Sequence, residues 1–337
     1  MRIRFTLLAP LALLLAAAEG RAQRAQRAGQ PVIGLITKTE SNPYFVKMRE
    51  GAQASARARN LRLLTGAGRS DNDNAGQVTA LENMIAAGAR VVMITVNDAK
   101  AIVPALRRAR QRGVVVIALD SPPDPVSAVD ALFATDNYEA GLLIGRYAKA
   151  ALGTRAPRIA TLDLFPGHPV GAQRHNGFLA GLGLQAPAKP SNTLGRPAQV
   201  VCMADTYGNQ ARGQTAMETC LQRDPNINVV YTINEPSAAG AWTALTAAGK
   251  ERNVVLVSVD GGCQGVRDVG AGHIAATAQQ YPVKMAELGV AAAAEFIRSG
   301  RKPSGYTDTG VQLVAARAVP GVVSIGVAAG LGSCFGR

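Results

Sequence analysis

The sequence predicts an α/β protein made of two doubly wound parallel-sheet lobes joined by a three-segment hinge. Three observations lead there. Short β-branched and apolar runs alternate with segments of helical periodicity along nearly the whole chain, the pattern of parallel sheets with helices on both faces. Roughly eleven such runs are too many for one sheet in a chain of 337 residues, so two similar sheets are the natural division. Polar residues directly follow the apolar runs, and parallel packing would align these carboxyl ends along one edge of each sheet.

The first run, Val32 to Ile36, is β-branched and apolar and reads as a buried strand. Thr37 to Asn42 is then wholly polar, and Asn42-Pro43 marks a turn. Pro43 can open a helix because its missing N–H would be unpaired there anyway. That helix, 43–59, places Phe45, Met48, Ala52 and Ala56 on one face. A strand at 61–65 follows, then a helix at 74–87 with Val78, Leu81, Met84 and Ile85 inward, a strand at 91–96, a helix at 99–112, and strands at 114–119 and 131–134. The second half repeats the scheme with helix 138–152, strand 158–162, helix 170–182, strand 199–203, helix 210–223, strand 229–233, helix 237–249 and strand 254–259. A short helix at 264–269, a strand at 274–278, a long helix at 282–299 and a late strand at 311–314 complete it. Polar breaks at Asp136, at Gln280 and over 306–310 suit crossings between lobes, giving a first lobe of 31–136 plus 281–308 and a second of 137–280 plus 309–334.

Met1 to Arg4 carries two arginines, and Phe5 to Ala18 is almost wholly apolar. This reads as a secretory signal peptide, too short for a membrane span, with cleavage after Ala18 or Ala22. Residues 1–22 are taken as the signal, 23–30 as a basic leader, and the mature protein is expected to be soluble and exported. In an exported chain an even count of four cysteines argues for disulfides. Three connectivities are possible; Cys202–Cys220 with Cys263–Cys334 is favoured because the first two flank one strand–helix unit.

The formal charge of +13 raises nucleic acid or anionic lipid as partners. The basic residues are scattered, many on helix faces (Arg57, Arg59, Arg107, Arg108, Arg110, Arg112), with little aromatic interleaving, so a solvated surface and no nucleic-acid partner are expected. No Cys-x-x-Cys pair occurs, no histidine stands at metal-ligand spacing, and no phosphate loop, dinucleotide fingerprint, His-Glu-x-x-His or Gly-x-Ser-x-Gly is present. No metal, no cofactor and no enzymatic activity are expected. His168, His175 and His273 are scattered, and surface positions are expected for two of them.

The placement of polar residues is the informative feature. Asn42 follows the first strand, Asp120 follows 114–119, Asn234 and Glu235 follow 229–233, Asp260-Gly261-Gly262 follows 254–259, and Gln279 and Gln280 follow 274–278. Arg174 lies in the first turns of the helix after 158–162. Any one of these could be a helix cap. Together, with Tyr44, Phe45 and Tyr281 beside them, they suit a sugar: carboxylates accept hydroxyl protons, a guanidinium donates a fork of hydrogen bonds, and amides do both. With no cluster of cations for a phosphate, a neutral monosaccharide is expected.

At these residues the chain resembles the periplasmic sugar-binding proteins of ABC importers, in the ribose and fructose branch. The resemblance runs through Ser41-Asn42-Pro43-Tyr44-Phe45, Leu119-Asp120-Ser121, Thr135-Asp136-Asn137, Gln173-Arg174-His175-Asn176-Gly177-Phe178, Thr232-Ile233-Asn234-Glu235, Val259-Asp260-Gly261-Gly262-Cys263 and Gln279-Gln280-Tyr281-Pro282. It covers essentially all of the mature chain and is closest to fructose-binding members, through Gly213 to Cys220 and the segment around Asn234. It implies a type I periplasmic binding protein fold and ligand contacts at Asn42, Phe45, Asp120, Arg174, Asn234, Asp260 and Gln280, with Lys38 as an addition. It further implies a monomer in the periplasm, a bound monosaccharide (fructose or a related furanose or pentose) and a membrane permease as partner. Ser121 departs from the pattern, since ribose binders often carry arginine there, which argues against ribose itself. A periplasmic sensor of sugar or autoinducer, feeding a chemoreceptor or histidine kinase, is the alternative. A DNA-binding regulator of the same fold would need a helix-turn-helix where the signal peptide is expected.

Overall fold

The computed structural model describes residues 29–189 and 191–336; the expected signal peptide, 1–22, lies outside the described residues. The first sheet is begun by β1 (Val32–Thr37), β2 (Arg62–Ala67), β3 (Val91–Ile94), β4 (Val115–Leu119) and β5 (Ala131–Ala134). These strands are parallel and are joined in turn by α1 (Pro43–Ala58), α2 (Asn74–Ala86), α3 (Val103–Gln111) and a single 3-10 turn. The chain then enters the second lobe through α4 (Asn137–Leu152). That lobe holds β6 (Ile159–Asp163), β7 (Val200–Asp205), β8 (Val229–Thr232), β9 (Val255–Asp260) and β10 (Ala276–Gln279), interleaved with α5 (Pro169–Leu182), α6 (Gln210–Arg223), α7 (Glu235–Ala247) and α8 (Cys263–Gly270). α9 (Pro282–Ser299) returns to the first lobe, β11 (Gly305–Asp308) pairs parallel with β5, and β12 (Gln312–Ala315) pairs antiparallel with β10. α10 (Val327–Ser333) ends the described helices. The sheet orders are β11-β5-β4-β3-β1-β2 and β12-β10-β9-β8-β6-β7.

The central strands are apolar without alternation because both faces of each sheet are covered. In the first lobe Ile33, Leu35, Met93, Ile117 and Leu119 face one core beneath α1 and α9, while Ile36, Val92, Ile94 and Val116 face the other beneath α2 and α3. The second lobe divides likewise: Ile159, Tyr231, Val257 and Val259 join α4 and α5, and Ala160, Leu162, Val230 and Leu256 join α6 and α7. Cys202–Cys220 ties β7 to α6, and Cys263–Cys334 ties the start of α8 to the end of the chain, the pairing favoured from the sequence.

α4 and α5 touch backbone to backbone. A Cβ at Gly141 would run into the carbonyl of Arg174, and one at Gly177 into the carbonyl of Tyr138. The contact sets Asn137, at the start of α4, beside Arg174 on α5.

Three features differ from the sequence expectation. Residues 305–308, which overlap the polar crossing expected over 306–310, form a strand; all four are exposed, so no apolar period announces an edge strand of this kind. Residues 327–333, a stretch of small residues, form an unexpected helix. β12 runs antiparallel, closing the second sheet's edge after a reversal.

Candidate functional site

The carboxyl ends of both sheets face one cleft. All eight residues expected at the site line a single cavity of about 40 Å³ there: Lys38, Asn42, Phe45 and Asp120 from the first lobe, and from the second Arg174 on α5 with Asn234, Asp260 and Gln280 at strand ends. Tyr44, Asp71 and Gly208 are also in its wall. A wider space of about 550 Å³ adjoins it, sharing Asn42, Asp71, Gly208 and Asp260. The convergent strand-end groups belong to the smaller cavity, so the wider space reads as its approach.

Each charged group is held by its own element. Asp120 directly follows β4 with φ 62°, a left-handed conformation that aspartate tolerates better than most residues. Its carboxylate accepts the hydroxyl of Tyr44 at 3.0 Å and that of Ser121 at 2.8 Å. Ser121, the departure from the ribose pattern, thus braces the carboxylate with a neutral donor. Asp260 ends β9 with φ 142°, a costly backbone that marks functional positions more often than inert ones. It accepts Gln280 Nε2 at 2.7 Å, with Arg174 Nη1 at 3.6 Å. Arg174 is aimed by Asn137 Oδ1, which accepts Nε at 2.7 Å, and by the carbonyl of Ile233, which accepts Nη1 at 2.9 Å.

The Asp260 loop has its own support. Glu235 Oε1 accepts Gly261 N and the Thr277 hydroxyl, both at 2.8 Å, and Oε2 accepts Gly262 N at 2.9 Å. Burial pushes the Glu235 carboxyl well above the usual range, and the charge of Asp260 adds to it. Burial also pushes Asp260 up, against the pull of Arg174 and Gln280.

Lys38 is 4% exposed, and its Nζ lies 3.3 Å from His168 Nε2 on the opposite lobe. Burial lowers the ammonium's pKa, with Asp120 and Asp71 opposing. Gln280 Oε1 is buried with no hydrogen-bond partner, an acceptor left for whatever enters. Asn42 and Asn234 are helix caps and also part of the cavity wall. Asn42 Oδ1 accepts Tyr44 N at the start of α1, and Asn234 Oδ1 accepts Ser237 N at the start of α7.

Sequence reasoning missed Asp71 and His168. Asp71 belongs to the polar run after β2, so the rule that found the other strand-end residues could have found it; burial raises its pKa, with Lys38 opposing. His168 and His175 are 1% and 0% exposed, against the expectation of surface positions for two of the histidines. His168 is covered partly from the other lobe, by Lys38 and by the Val96 carbonyl at 3.5 Å. His175 bridges Asp163 Oδ1 at 2.8 Å and the Gly195 carbonyl at 2.7 Å, pinning the long loop after α5. Among the described residues no cluster of three or more His, Cys, Asp or Glu could hold a metal, and no helix is long and apolar enough to cross a membrane.

The assembled cavity offers carboxylates, a guanidinium, an ammonium and amides from two sides at once. That mixture satisfies a small molecule whose groups both donate and accept.

A family model described as the periplasmic binding protein domain matches residues 33–302. The ribose import binding protein of Bacillus subtilis is 27% identical over 270 residues, 80% of this chain and 82% of that protein. The D-ribose/D-allose-binding protein of Pseudomonas aeruginosa is 25% identical over 307 residues, covering 88% and 92%. Among solved structures, an ABC transporter periplasmic solute binding protein from Actinobacillus succinogenes with bound D-allose superposes with a TM-score of 0.74 at 26% identity, covering 85% of this chain and 98% of that one. Each of these relatives is described as a binding protein and none as an enzyme. With a match over most of its length and two largely parallel-sheet lobes flanking a cleft, the chain belongs to the periplasmic binding protein family.

Proposed function

We propose that this protein is the substrate-binding component of an ABC sugar importer, acting in the periplasm and holding a monosaccharide between lobes that close on it. One observation carries the reading: eight polar and aromatic residues, from strand ends and helix starts of both sheets, converge on one cavity. Lys38, Asn42, Phe45 and Asp120 are assigned to the ligand from the first lobe, and Arg174, Asn234, Asp260 and Gln280 from the second. Asp120 and Asp260 accept sugar hydroxyls, Arg174 donates, and Phe45 covers the C–H face of the ring. The names of the relatives support a sugar. Within that class we assign fructose or a related furanose or pentose. A membrane permease is the partner this function requires.

The experiment is a thermal-shift screen of the mature protein against D-fructose, D-ribose, D-allose and other monosaccharides. A ligand at 100 times its dissociation constant adds about 2.7 kcal/mol to stability. No shift with any sugar overturns the reading; a shift with an aldohexose but not with fructose or a pentose corrects only the finer assignment.

A further inference from the structure

We propose that Phe335 is a positioning residue, carried by the second lobe and seated in the first, where it fixes Tyr44 and through it Asp120 when the lobes are together; the part of this that concerns ligand rests on reading the cleft as a sugar site.

The backbone around Phe335 belongs to the second lobe. Cys334 is bonded to Cys263 at the start of α8, Cys263 N donates to the Phe335 carbonyl at 2.7 Å, and Gly262 pairs with Phe335 as a parallel bridge. The ring, 7% exposed, packs instead in the core of the first lobe with Tyr44, Phe45, Met48 and Met285. It meets Tyr44 edge to face, the centroids 5.3 Å apart and the planes at 85°. On the other side the Tyr44 hydroxyl donates to Asp120 Oδ1 at 3.0 Å. A Cβ at residue 262 would come within 3.3 Å of the Phe335 ring, so glycine there leaves the ring its passage.

This contact is separate from the chain crossings between lobes. It is a side chain inserted across the cleft, on a backbone that the disulfide keeps with the second lobe. Parting the lobes carries Gly262 away from Tyr44, so the ring must leave its seat. Tyr44 then loses one of its two edge-on neighbours, keeping Phe45, and the hydroxyl that orders Asp120 loses part of its support. Closure and the ordering of a carboxylate in the first lobe are coupled through one aromatic pair.

The test compares the wild-type mature protein with Phe335→Ala, Phe335→Leu and the double variant Cys263→Ser/Cys334→Ser. Stopped-flow kinetics use whichever of D-fructose, D-ribose and D-allose the wild type binds most tightly. Hydrogen exchange of the amides of residues 44–48 is followed at saturating sugar, where the lobes are together, and again without sugar. Phe335→Ala and the double variant should each speed sugar release at least tenfold while changing association less than about threefold, because such contacts act mainly on dissociation. Phe335→Leu, which refills the seat, should recover most of the loss. At saturating sugar, exchange over 44–48 should quicken in Phe335→Ala and in the double variant. A double variant that releases sugar and exchanges like wild type makes Phe335 an ordinary core residue and overturns the proposal, as does unchanged release in Phe335→Ala. If the wild type binds none of the three sugars, the kinetics use whichever other monosaccharide the thermal-shift screen finds; if it finds none, the sugar reading fails, and exchange over 44–48 in the unliganded wild type and Phe335→Ala decides whether the ring is seated.

Discussion

Arg174 Nη1 stands 3.6 Å from Asp260 Oδ1, its guanidinium already held by Asn137 and the Ile233 carbonyl. With both side chains buried, removing either strands a charge, which costs about 1–3 kcal/mol or more. Arg174→Ala, Asp260→Ala and Asp120→Ala are each expected to weaken sugar binding at least tenfold, since about 1.4 kcal/mol is a factor of ten. The fold should survive, because all three sit at the cleft and outside the apolar cores. Calorimetry on the three variants checks this; unchanged affinity in all of them would remove the site assignment.

The close approach of α4 and α5 gives a second expectation. Gly141→Ala and Gly177→Ala each force a methyl into a facing carbonyl. Overpacking of this kind costs about 1–3 kcal/mol. Because the two helices carry Asn137 and Arg174, relief of the clash should also misaim the guanidinium. Urea unfolding and calorimetry should find stability and affinity falling together. A loss of stability with full affinity would mean that the helices part elsewhere.

His175 supplies the pH dependence. Burial works against its charged form, but the charge of Asp163, its hydrogen bond and that of the Gly195 carbonyl outweigh burial and raise the pKa. A raised folded-state pKa means the stabilisation is fully present below the ordinary histidine value of about 6.5 and is lost as pH climbs through the folded value. His175→Asn should therefore destabilise more at pH 6 than at pH 8.5. The observable is the difference in unfolding free energy between wild type and variant across that range, and a difference that is flat or grows with pH contradicts the assignment.

The disulfides make a covalent prediction. Non-reduced peptide mapping should recover Cys202 with Cys220 and Cys263 with Cys334, with no cross-pairing. Cys202→Ser/Cys220→Ser opens a loop spanning 18 positions. It should lower stability by about 3 kcal/mol in the chain-entropy model, measured by chemical unfolding.

The burial of the cavity's groups bears on motion. Lys38, Asp120 and Arg174 are each buried beneath both lobes. A monosaccharide can reach them only if the lobes separate. Small-angle scattering should give a smaller radius of gyration with saturating sugar than without; equal radii would argue against a closing motion.

Much of the site could be read from the sequence because a parallel sheet gathers the carboxyl ends of distant strands. Asp120, Asn234 and Asp260 each announce themselves by following an apolar run. Alternation alone was enough for the two-sheet division. β11 was hidden because an exposed edge strand needs no apolar residues. The burial of His168 was hidden because Lys38 and Val96, which cover it, come from the other lobe. Trp242, on the same helix as Glu235, stacks on His273 with centroids 4.6 Å apart and is not in the cavity wall, so its fluorescence is a poor reporter of binding.

Only Thr309, Gly310 and Val311 lie between β11, in one sheet, and β12, in the other. Three residues reach about 10 Å at full extension, so these two edges cannot drift apart whatever the rest of the molecule does. Relative movement there is thereby limited to rotation about that junction, and displacement grows with distance from it, as at the tip of a lever. Arg69, after β2, and Arg212, in the first turn of α6 after β7, follow the strands at the far edges of the two sheets, where the travel is longest. A pair of distance labels there will register each turn of the lever, while the same pair on Asp308 and Gln312 will sit almost still.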